Sequence, residues 1–355
     1  MARMFPQAHV YDPKQYVKFA LGRGLEDVPP RVDLVQYCGG DLLHAARLHA
    51  RLKGRAATYK FSRRGYRNVF DRAFAVDAKN AAQLEAWGTP RERIATVGNL
   101  AVDGALIEAR EPAEPGAPDD GILIMPGSRA YEVEHLIPFY FTAALRIVRE
   151  RPNVRIAFGI SPFTPRERVR AAIERGGDRR VFAQRGRLIE EGDRYYLEAL
   201  DGAVRFPVLS NALAAATRAR LVLTIPGTKT IELAVLGKPA ITITPLNAPE
   251  MVTFNGPLTY LDRVPLVGVP LKRAVAVGVS NRFKHHTQPN MDADEMLVWE
   301  VHGTVTPGRI ARVALERYDD AAWVARTGAR LAELYREHAG AAERMAESLL
   351  ELGGS

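Results

Sequence analysis

One stretch, Arg220 to Leu246, constrains the fold more than any other part of the chain; its sequence is RLVLTIPGTKTIELAVLGKPAITITPL. A run of apolar and β-branched residues leads into Pro226 and Gly227, and apolar residues then recur at helical spacing as far as Gly237. A second run of the strand type follows from residue 240 to 244. This order predicts a βαβ unit in a parallel sheet, and such sheets bind ligands at the carboxyl ends of their strands.

A second turn of the same kind lies upstream, where the apolar run 121–125 leads into Pro126-Gly127-Ser128-Arg129. Glycine lets the backbone approach a ligand, and the first amides of a helix point at phosphate. We predict that both turns converge on one polyanionic ligand, with Arg129 as a bidentate contact and Lys229 as a point charge. The candidate binding residues of the turns are Gly127, Ser128, Arg129, Gly227, Thr228, Lys229 and Thr230. A purely structural role for each turn is the alternative.

Pro138 bears on where the first turn lies relative to the helix that follows it. Proline is tolerated in the first turn of a helix and disrupts its interior. The sequence therefore predicts that this helix begins near Ile137, which would leave residues 127–129 on a loop.

Strand and helix patterns alternate along most of the chain, which predicts an α/β protein with two domains. Residues 108–120, EAREPAEPGAPDD, hold three prolines and five acidic residues, a composition typical of an exposed linker. We therefore predict an N-terminal domain over 1–107, a C-terminal domain over 121–318, and a helical segment, 319–355, that packs back on the N-terminal domain. The apolar face of that segment also suits the seam of a homodimer.

Composition limits the classes of partner. The formal net charge of +8 favours acidic partners such as nucleic acid, anionic lipid or a phosphorylated substrate. The arginines are scattered and lack the interleaved aromatic residues of a nucleic-acid platform, so we expect no nucleic-acid partner. The single cysteine excludes a disulfide framework and a cysteine-based zinc site, and it fits a cytoplasmic protein. No apolar run is long enough for a membrane-spanning helix.

An unusual loop over 264–286 contains PLVGVPLKRAVAVGVSNRFKHH, an apolar, proline-containing stretch that ends in basic residues and histidines. Such a loop beside a basic cluster suits the surface of an anionic bilayer, and we predict peripheral contact with the inner face of the membrane. A loop packed on its own domain fits the pattern equally well.

Several motifs occur in a fixed order: PGSR, PGTKTIE, Pro289-Asn290, Trp299-Glu300 and Thr306-Pro307. This order resembles the lipid-A-disaccharide synthase family, in its divergent related branch, from about residue 92 to 318. The resemblance implies a GT-B-type fold of two Rossmann-like domains, of which the N-terminal one is shortened, because the family's opening strand has no counterpart before Val32. It implies an inverting glycosyltransferase that takes a UDP-sugar donor and a lipid-linked acceptor and needs neither a metal ion nor another cofactor.

The resemblance also implies roles for single residues. Glu232 matches an acid that accepts hydrogen bonds from ribose hydroxyls, and Asn290 and Glu300 match polar positions of the donor site. Asp41 is our candidate for the base that takes the acceptor's proton, although a helix N-cap explains it equally well. His44 is an alternative base, and Asp103 fits either a family position or a cap.

Two other functions stay open. The first is a UDP-sugar epimerase of the same fold, which would need several acid or base residues. The second is a non-catalytic protein that binds a nucleotide sugar or a lipid and has lost its acceptor site.

Overall fold

The computed structural model describes residues 7–11, 13–20, 28–39, 41–66, 68–247 and 282–354, together with 270, 273–275 and 278. The chain divides into two compact units. Unit 1 comprises Met1–Leu100 and His338–Ser355, and unit 2 comprises Ala101–Glu337. Each unit is built on its own sheet with a parallel core, so the predicted α/β class with two Rossmann-like domains is confirmed.

The strands, in chain order, are β1 (Leu34–Tyr37), β2 (Arg55–Tyr59), β3 (Arg72–Ala75), β4 (Ile94–Thr96), β5 (Ile122–Ile124), β6 (Ile156–Gly159), β7 (Gly186–Glu191), β8 (Arg194–Ala199), β9 (Arg205–Leu209), β10 (Leu221–Thr224), β11 (Ala240–Pro245) and β12 (Trp299–Gly303). The helices are α1 (Pro13–Ala20), α2 (Leu42–Leu52), α3 (Ala78–Ala86), α4 (Leu100–Glu108), α5 (Ala130–Glu150), α6 (Arg166–Arg175), α7 (Ala212–Arg218), α8 (Thr228–Val235), α9 (Gln288–Ala293), α10 (Pro307–Asp319), α11 (Ala321–Tyr335) and α12 (Ala341–Gly353).

Unit 1 contains a four-stranded parallel sheet in the order β1-β2-β3-β4. The two central strands are the most buried, over residues 56–58 of β2 and 73–75 of β3, as expected inside a parallel sheet. The last helix, α12, packs here: Met345 is buried with Ala57, Phe74 and Val97. Part of the apolar face of the C-terminal segment is therefore used within the unit.

The C-terminal segment differs from the predicted single element over 319–355. Only residues from 338 onward belong to unit 1, while α11 belongs to unit 2 and packs against α8. The closeness of that packing depends on two glycines. A Cβ atom on Gly328 would lie 2.6 Å from the carbonyl oxygen of Gly237.

Unit 2 contains an eight-stranded sheet in the order β12-β11-β10-β5-β6-β9-β8-β7. Pairing is parallel from β12 to β9 and antiparallel where β8 joins β9 and β7. The predicted βαβ unit is β10-α8-β11, in which β10 is fully buried. Because β10 also pairs with β5, the two predicted turns leave the sheet at the same edge.

The predicted linker is part of unit 2, and the boundary between the units falls at Leu100, before the linker. The Glu114 carboxylate accepts hydrogen bonds from the backbone amides of Ser210 and Asn211 at 2.7 and 2.6 Å. Most of the segment 108–120 is exposed or half-buried, in keeping with its acidic composition, and Glu114 also ties the segment to unit 2.

The start of α5 also differs from the sequence-based expectation. The helix begins at Ala130 and continues through Pro138 rather than starting near Ile137. Pro138 is buried in a helix whose apolar residues fill the core of unit 2. Burial of that face outweighs the hydrogen bond that proline removes, so residues 127–129 stand directly at the amino end of a long helix.

Within the described part of the chain, no helix is both long enough and apolar enough to cross a membrane. Most of the predicted membrane-contacting loop, 264–286, lies outside the described residues.

Candidate functional site

The carboxyl ends of β5, β6, β9 and β10 surround an open cavity of about 590 Å³, here called the first cavity. It is lined on one side by Gly127, Ser128 and Arg129 and, from the second turn, by Gly227, Thr228 and Lys229. The structure therefore brings both turns to one site. They meet because β5 and β10 are neighbouring parallel strands, with Ile124 paired to Leu223 two residues before Pro126 and three before Pro226.

The first turn is closed by a residue that the sequence analysis missed. Glu132 is 2% exposed, and its Oε2 accepts hydrogen bonds from the backbone amides of Ser128 and Arg129 at 2.8 and 2.9 Å. Its Oε1 accepts a hydrogen bond from Arg129 Nη1 at 2.9 Å. An internal carboxylate thus occupies the donors that were predicted to bind phosphate. This hydrogen bond is also the main reason why the pKa of Arg129 is raised.

Gly127 is required by the same contact. Its φ is +105°, and a Cβ atom there would lie 2.3 Å from Glu132 Oε2. No larger residue fits between the turn and its carboxylate.

The second turn is arranged differently. Gly227 has φ +152° and is the N-cap of α8, with no side chain capping the helix. The first amides of α8 therefore present their positive end at the turn, where anions bind well. Lys229 Nζ lies 2.5 Å from Glu232 Oε2, an ion pair that partly neutralises the cation.

Two other predicted residues of this turn do not line the cavity. Thr230 is fully buried, and its hydroxyl donates a hydrogen bond to the Gly227 carbonyl at 2.7 Å. Glu232 lies behind the turn with its side chain 15% exposed. Both acids follow their cation by three residues, Glu132 after Arg129 and Glu232 after Lys229. This repeated spacing was the sequence feature from which the role of Glu132 at the first turn could have been predicted.

The late motif forms a separate network. Glu300 on β12 accepts hydrogen bonds from the Thr287 amide and hydroxyl at 2.8 and 2.7 Å and from the His286 amide. Asn290 is fully buried; its Nδ2 donates to Glu300 at 2.8 Å, and its Oδ1 accepts from the Val298 amide. These two residues were predicted to bind the ligand, but their hydrogen-bonding capacity is used to hold the segment 285–290 on β12.

The charge of Glu300 follows from this network. Burial by itself raises the pKa of Glu300, and the hydrogen bonds from Thr287 and His286 outweigh burial, so that the pKa is lowered. Glu300 is therefore a carboxylate, and His286 Nδ1 lies 3.2 Å from its Oε2.

A second cavity, of about 220 Å³, adjoins the first and shares Ile225 and Pro226 with it. Most of its wall is apolar, and three of its side chains are titratable: Tyr131, His135 and His286. Burial raises the pKa of Tyr131 to about 12, so its hydroxyl stays protonated at neutral pH.

The predicted base, Asp41, lies in unit 1 and caps α2, since its Oδ1 accepts a hydrogen bond from the Leu43 amide at 2.9 Å. His44 is one turn further along α2 and is hydrogen-bonded through Nδ1 to the Tyr16 hydroxyl. Asp103 lies in the first turn of α4. Among the residues that the structure describes, no group of three or more histidine, cysteine or acidic side chains could hold a metal ion.

The sequence matches no protein-family model and no curated protein. Solved structures do share its fold. S. aureus MnaA in complex with UDP has a TM-score of 0.54 at 13% identity, over 95% of this chain and 76% of that one. A UDP-GlcNAc 2-epimerase from Neisseria meningitidis bound to UDP-GlcNAc has a TM-score of 0.52 at 13% identity, over 95% of this chain and 79% of that one. Another UDP-N-acetylglucosamine 2-epimerase has a TM-score of 0.52 at 15% identity, over 96% and 76%.

These similarities correct the resemblance drawn from the sequence. The expected membership of the lipid-A-disaccharide synthase family is wrong, and so is the glycosyltransferase reaction that came with it, because the similar structures are UDP-N-acetylglucosamine 2-epimerases. The physical reason lies in the motifs themselves. The glycine turns follow strands of a parallel sheet, a feature of many α/β proteins, and Asn290 and Glu300 serve the packing of one segment.

Proposed function

We propose that unit 2 binds a UDP-sugar in the first cavity and that the protein is a UDP-sugar epimerase. The observation that carries the proposal is the meeting of two glycine turns, each with a cation and the start of a helix, at one cavity on the carboxyl edge of the sheet. Ligands bind at this edge in open α/β sheets. The similarity to solved UDP-N-acetylglucosamine 2-epimerases supports the epimerase alternative over a transferase.

The groups at the turns suit a diphosphate. The amino end of α8 and Lys229 supply donors and positive charge, and Arg129, whose side chain is 68% exposed, adds a guanidinium with several N–H groups. Fixed cations and amides supply the positive charge that a divalent ion would bring to the diphosphate, so the proposal includes no metal ion or other cofactor.

The opposite wall suits a nucleoside. Phe163 is 90% exposed at the edge of the first cavity, where a base could stack on its ring. Ser161, Ser210 and Asn211 line the same wall and offer hydroxyl and amide groups. We choose uridine because two proteins of the same fold were solved with UDP and with UDP-GlcNAc. A cytoplasmic location is part of the proposal, since Cys38 is free and exposed and would stay reduced there.

The second candidate is a nucleotide-sugar-binding protein without turnover. Glu132 favours it, because this carboxylate already holds the donors of the first turn. Binding and turnover must therefore be measured separately.

Calorimetric titration with UDP, UDP-GlcNAc and ADP tests the binding step, with Lys229→Ala as the variant and Lys79→Ala, an exposed lysine of unit 1, as its matched control. A hydrogen bond to a charged group contributes about 1.5–3 kcal/mol, so Lys229→Ala should weaken UDP binding by about ten- to a hundredfold. The Lys79 variant should bind as the wild type does. Absence of nucleotide binding to the wild type would refute the proposal.

Proton NMR of UDP-GlcNAc incubated with the wild type in D2O tests turnover. An epimerase should convert part of the sugar to its epimer. Binding without any conversion would select the second candidate.

A further inference from the structure

We infer that unit 1 carries a binding surface for single-stranded nucleic acid, formed by the loop 60–66 after β2, here called the basic loop. Its cations bind phosphates, and the ring of Phe61 stacks on a base. The inference goes beyond the proposed function, because it concerns another unit and another class of partner. The expectation of no nucleic-acid partner rested on arginines scattered over the whole chain, whereas the basic loop places aromatic residues between its cations.

The positive charge of the chain is concentrated in unit 1. Residues 31–96 hold 13 lysine and arginine residues and 6 acidic residues, so this segment carries a net charge of +7 out of the +8 of the whole chain. A basic domain attracts polyanions, and clustering of the charge on one face or loop distinguishes a binding surface from general basicity.

The acidic residues around the basic loop already have partners. Asp41 and Asp77 accept hydrogen bonds from backbone amides as the N-caps of α2 and α3. Asp71 and Glu85 form salt bridges with arginines outside the loop, at 3.2 and 3.7 Å. These four carboxylates are therefore engaged in capping and pairing, and they leave the cations of the basic loop available.

Three cations of the basic loop have no acidic partner. Within the part of the chain that the structure describes, Lys60, Arg63 and Arg64 form no salt bridge, and both arginines are exposed. Burial is the main reason why the pKa of Tyr37 is raised, and the charge of Arg63 opposes this rise, which places Arg63 near the end of β1. The stem of Arg64 lies instead beside Gly88, after α3. The cations therefore spread over a surface and do not form one point.

Hydrogen bonds fix the backbone of the basic loop. The Lys60 amide donates to the Phe74 carbonyl at 2.8 Å, and the Lys60 carbonyl accepts from Asn80 Nδ2 at 3.2 Å. The Thr58 hydroxyl donates to the Phe61 carbonyl at 2.6 Å. Because the loop is held in place before a ligand arrives, less conformational entropy is lost on binding.

Phe61 supplies an aromatic surface beside the cations. Its side chain is 47% exposed, and its ring packs on Trp87 with the ring centroids 5.6 Å apart and the planes tilted by 31°. The indole supports the phenyl ring from one side, and the exposed part of the ring is open to a ligand. Arg64 lies against Gly88, the residue after Trp87, so an aromatic ring and a guanidinium stand side by side. Single strands bind to such pairs, with a base on the ring and a phosphate at the cation.

The location and the aromatic packing favour a nucleic acid over a membrane. The basic loop follows the end of β2, so it lies at the carboxyl edge of the parallel sheet of unit 1, where α/β sheets bind ligands. An anionic bilayer also attracts basic residues, but stable contact with it requires apolar side chains that enter the lipid. Phe61 packs against Trp87 instead, which suits stacking better than insertion.

The test is fluorescence anisotropy with a labelled single-stranded oligouridylate of about 12 nucleotides. The variants are Arg64→Ala and Phe61→Leu, and their matched controls are Arg168→Ala and Phe182→Leu, at exposed positions of unit 2. Arg64→Ala should reduce the slope of log affinity against log salt concentration by about 0.7, the value for one phosphate contact on a single strand. Phe61→Leu should weaken binding about five- to a hundredfold, the expected loss of one stacked base. Both controls should bind as the wild type does.

Phe61→Tyr keeps the ring and should bind the oligonucleotide as the wild type does, so it separates the loss of stacking from a folding defect. Phosphatidylserine vesicles form the second arm, because leucine can still enter lipid. Vesicle binding that survives Phe61→Leu, without oligonucleotide binding, would identify a membrane surface and overturn the inference. Oligonucleotide binding that is absent from the wild type, unchanged in both loop variants or abolished by saturating UDP would overturn it too. The proposed function is judged separately, by UDP binding to the wild type.

Discussion

Substitution of Glu132 should change protein stability and UDP affinity in opposite directions. The carboxylate binds two backbone amides and the Arg129 guanidinium, and it is 2% exposed. If a diphosphate uses the same amides, Glu132 competes with the ligand. Glu132→Ala should therefore lower the stability of unit 2 and raise the affinity for UDP.

The size of the stability loss follows from the three contacts. Truncating a helix cap costs about 0.5–2 kcal/mol, and leaving a buried donor unpaired costs about 1–3 kcal/mol. The ion pair adds little, because Arg129 is 68% exposed and exposed pairs contribute about 0–1 kcal/mol. We expect a total loss of about 2–4 kcal/mol for Glu132→Ala. Glu132→Gln keeps an acceptor oxygen for the amides and should lose about 1 kcal/mol or less.

Denaturant unfolding with and without UDP measures both effects on the same samples. Glu132→Ala should gain more stability from UDP than the wild type does, because the phosphate fills the site that the carboxylate left. A variant that loses stability and UDP affinity together would refute competition and show that Glu132 builds the site instead.

Three further outcomes are expected. Gly127→Ala places a Cβ atom 2.3 Å from Glu132 at positive φ and should lower the free energy of unfolding by about 1–3 kcal/mol. The control, Gly104→Ala, has open space in a helix and should raise it by up to about 1 kcal/mol. Equal denaturation midpoints for the two variants would contradict this. Asp41→Ala should lose about 1 kcal/mol and Asp41→Asn almost nothing, since asparagine also caps helices; a large loss in the asparagine variant would argue against a cap. The pKa of Glu300 is lowered on folding and that of Asp178 falls to about 2, so their stabilisation is complete above the unfolded pKa values and is lost as pH falls through the folded ones. Acid unfolding curves should show this, and Glu300→Gln should flatten the slope below pH ~4.5.

The parts of the fold that depend on neighbouring residues in the sequence, such as the two glycine turns, were predictable. A buried strand followed by proline and glycine determined both turns, and the pairing of β5 with β10 brings them together. The start of α5 was not predictable from Pro138, because the gain from burying a long apolar face is a property of the whole unit. The attachment of segment 108–120 to unit 2 was not predictable for a related reason, because the sequence shows that Glu114 is acidic but not that the amides of Ser210 and Asn211 lie within its reach.

The site was predictable only in part. The glycines and cations after two strands predicted that both turns would lie at one site, and both line the first cavity. Asn290 and Glu300 had the chemistry of ligand-binding residues, and only the structure shows that their partners are backbone amides and His286. The second cavity left no local signal, since its histidines are far apart in the chain and ordinary in their surroundings.

The carboxylate behind each cation has a kinetic consequence. Arg129 with Glu132 and Lys229 with Glu232 are two pairs of opposite charge, so the turns together carry no net charge. A site of this kind does not draw an anion from a distance, and any such pull comes from the +8 charge of the whole chain. At physiological salt the charges of the turns are screened beyond about one Debye length, ~8 Å. The turns therefore act on a ligand only at short range, through their amides and single N–H groups. Any dependence of the capture rate on ionic strength should then come from the charge of the whole chain and not from the turns, and selectivity should reside in how slowly the correct ligand leaves.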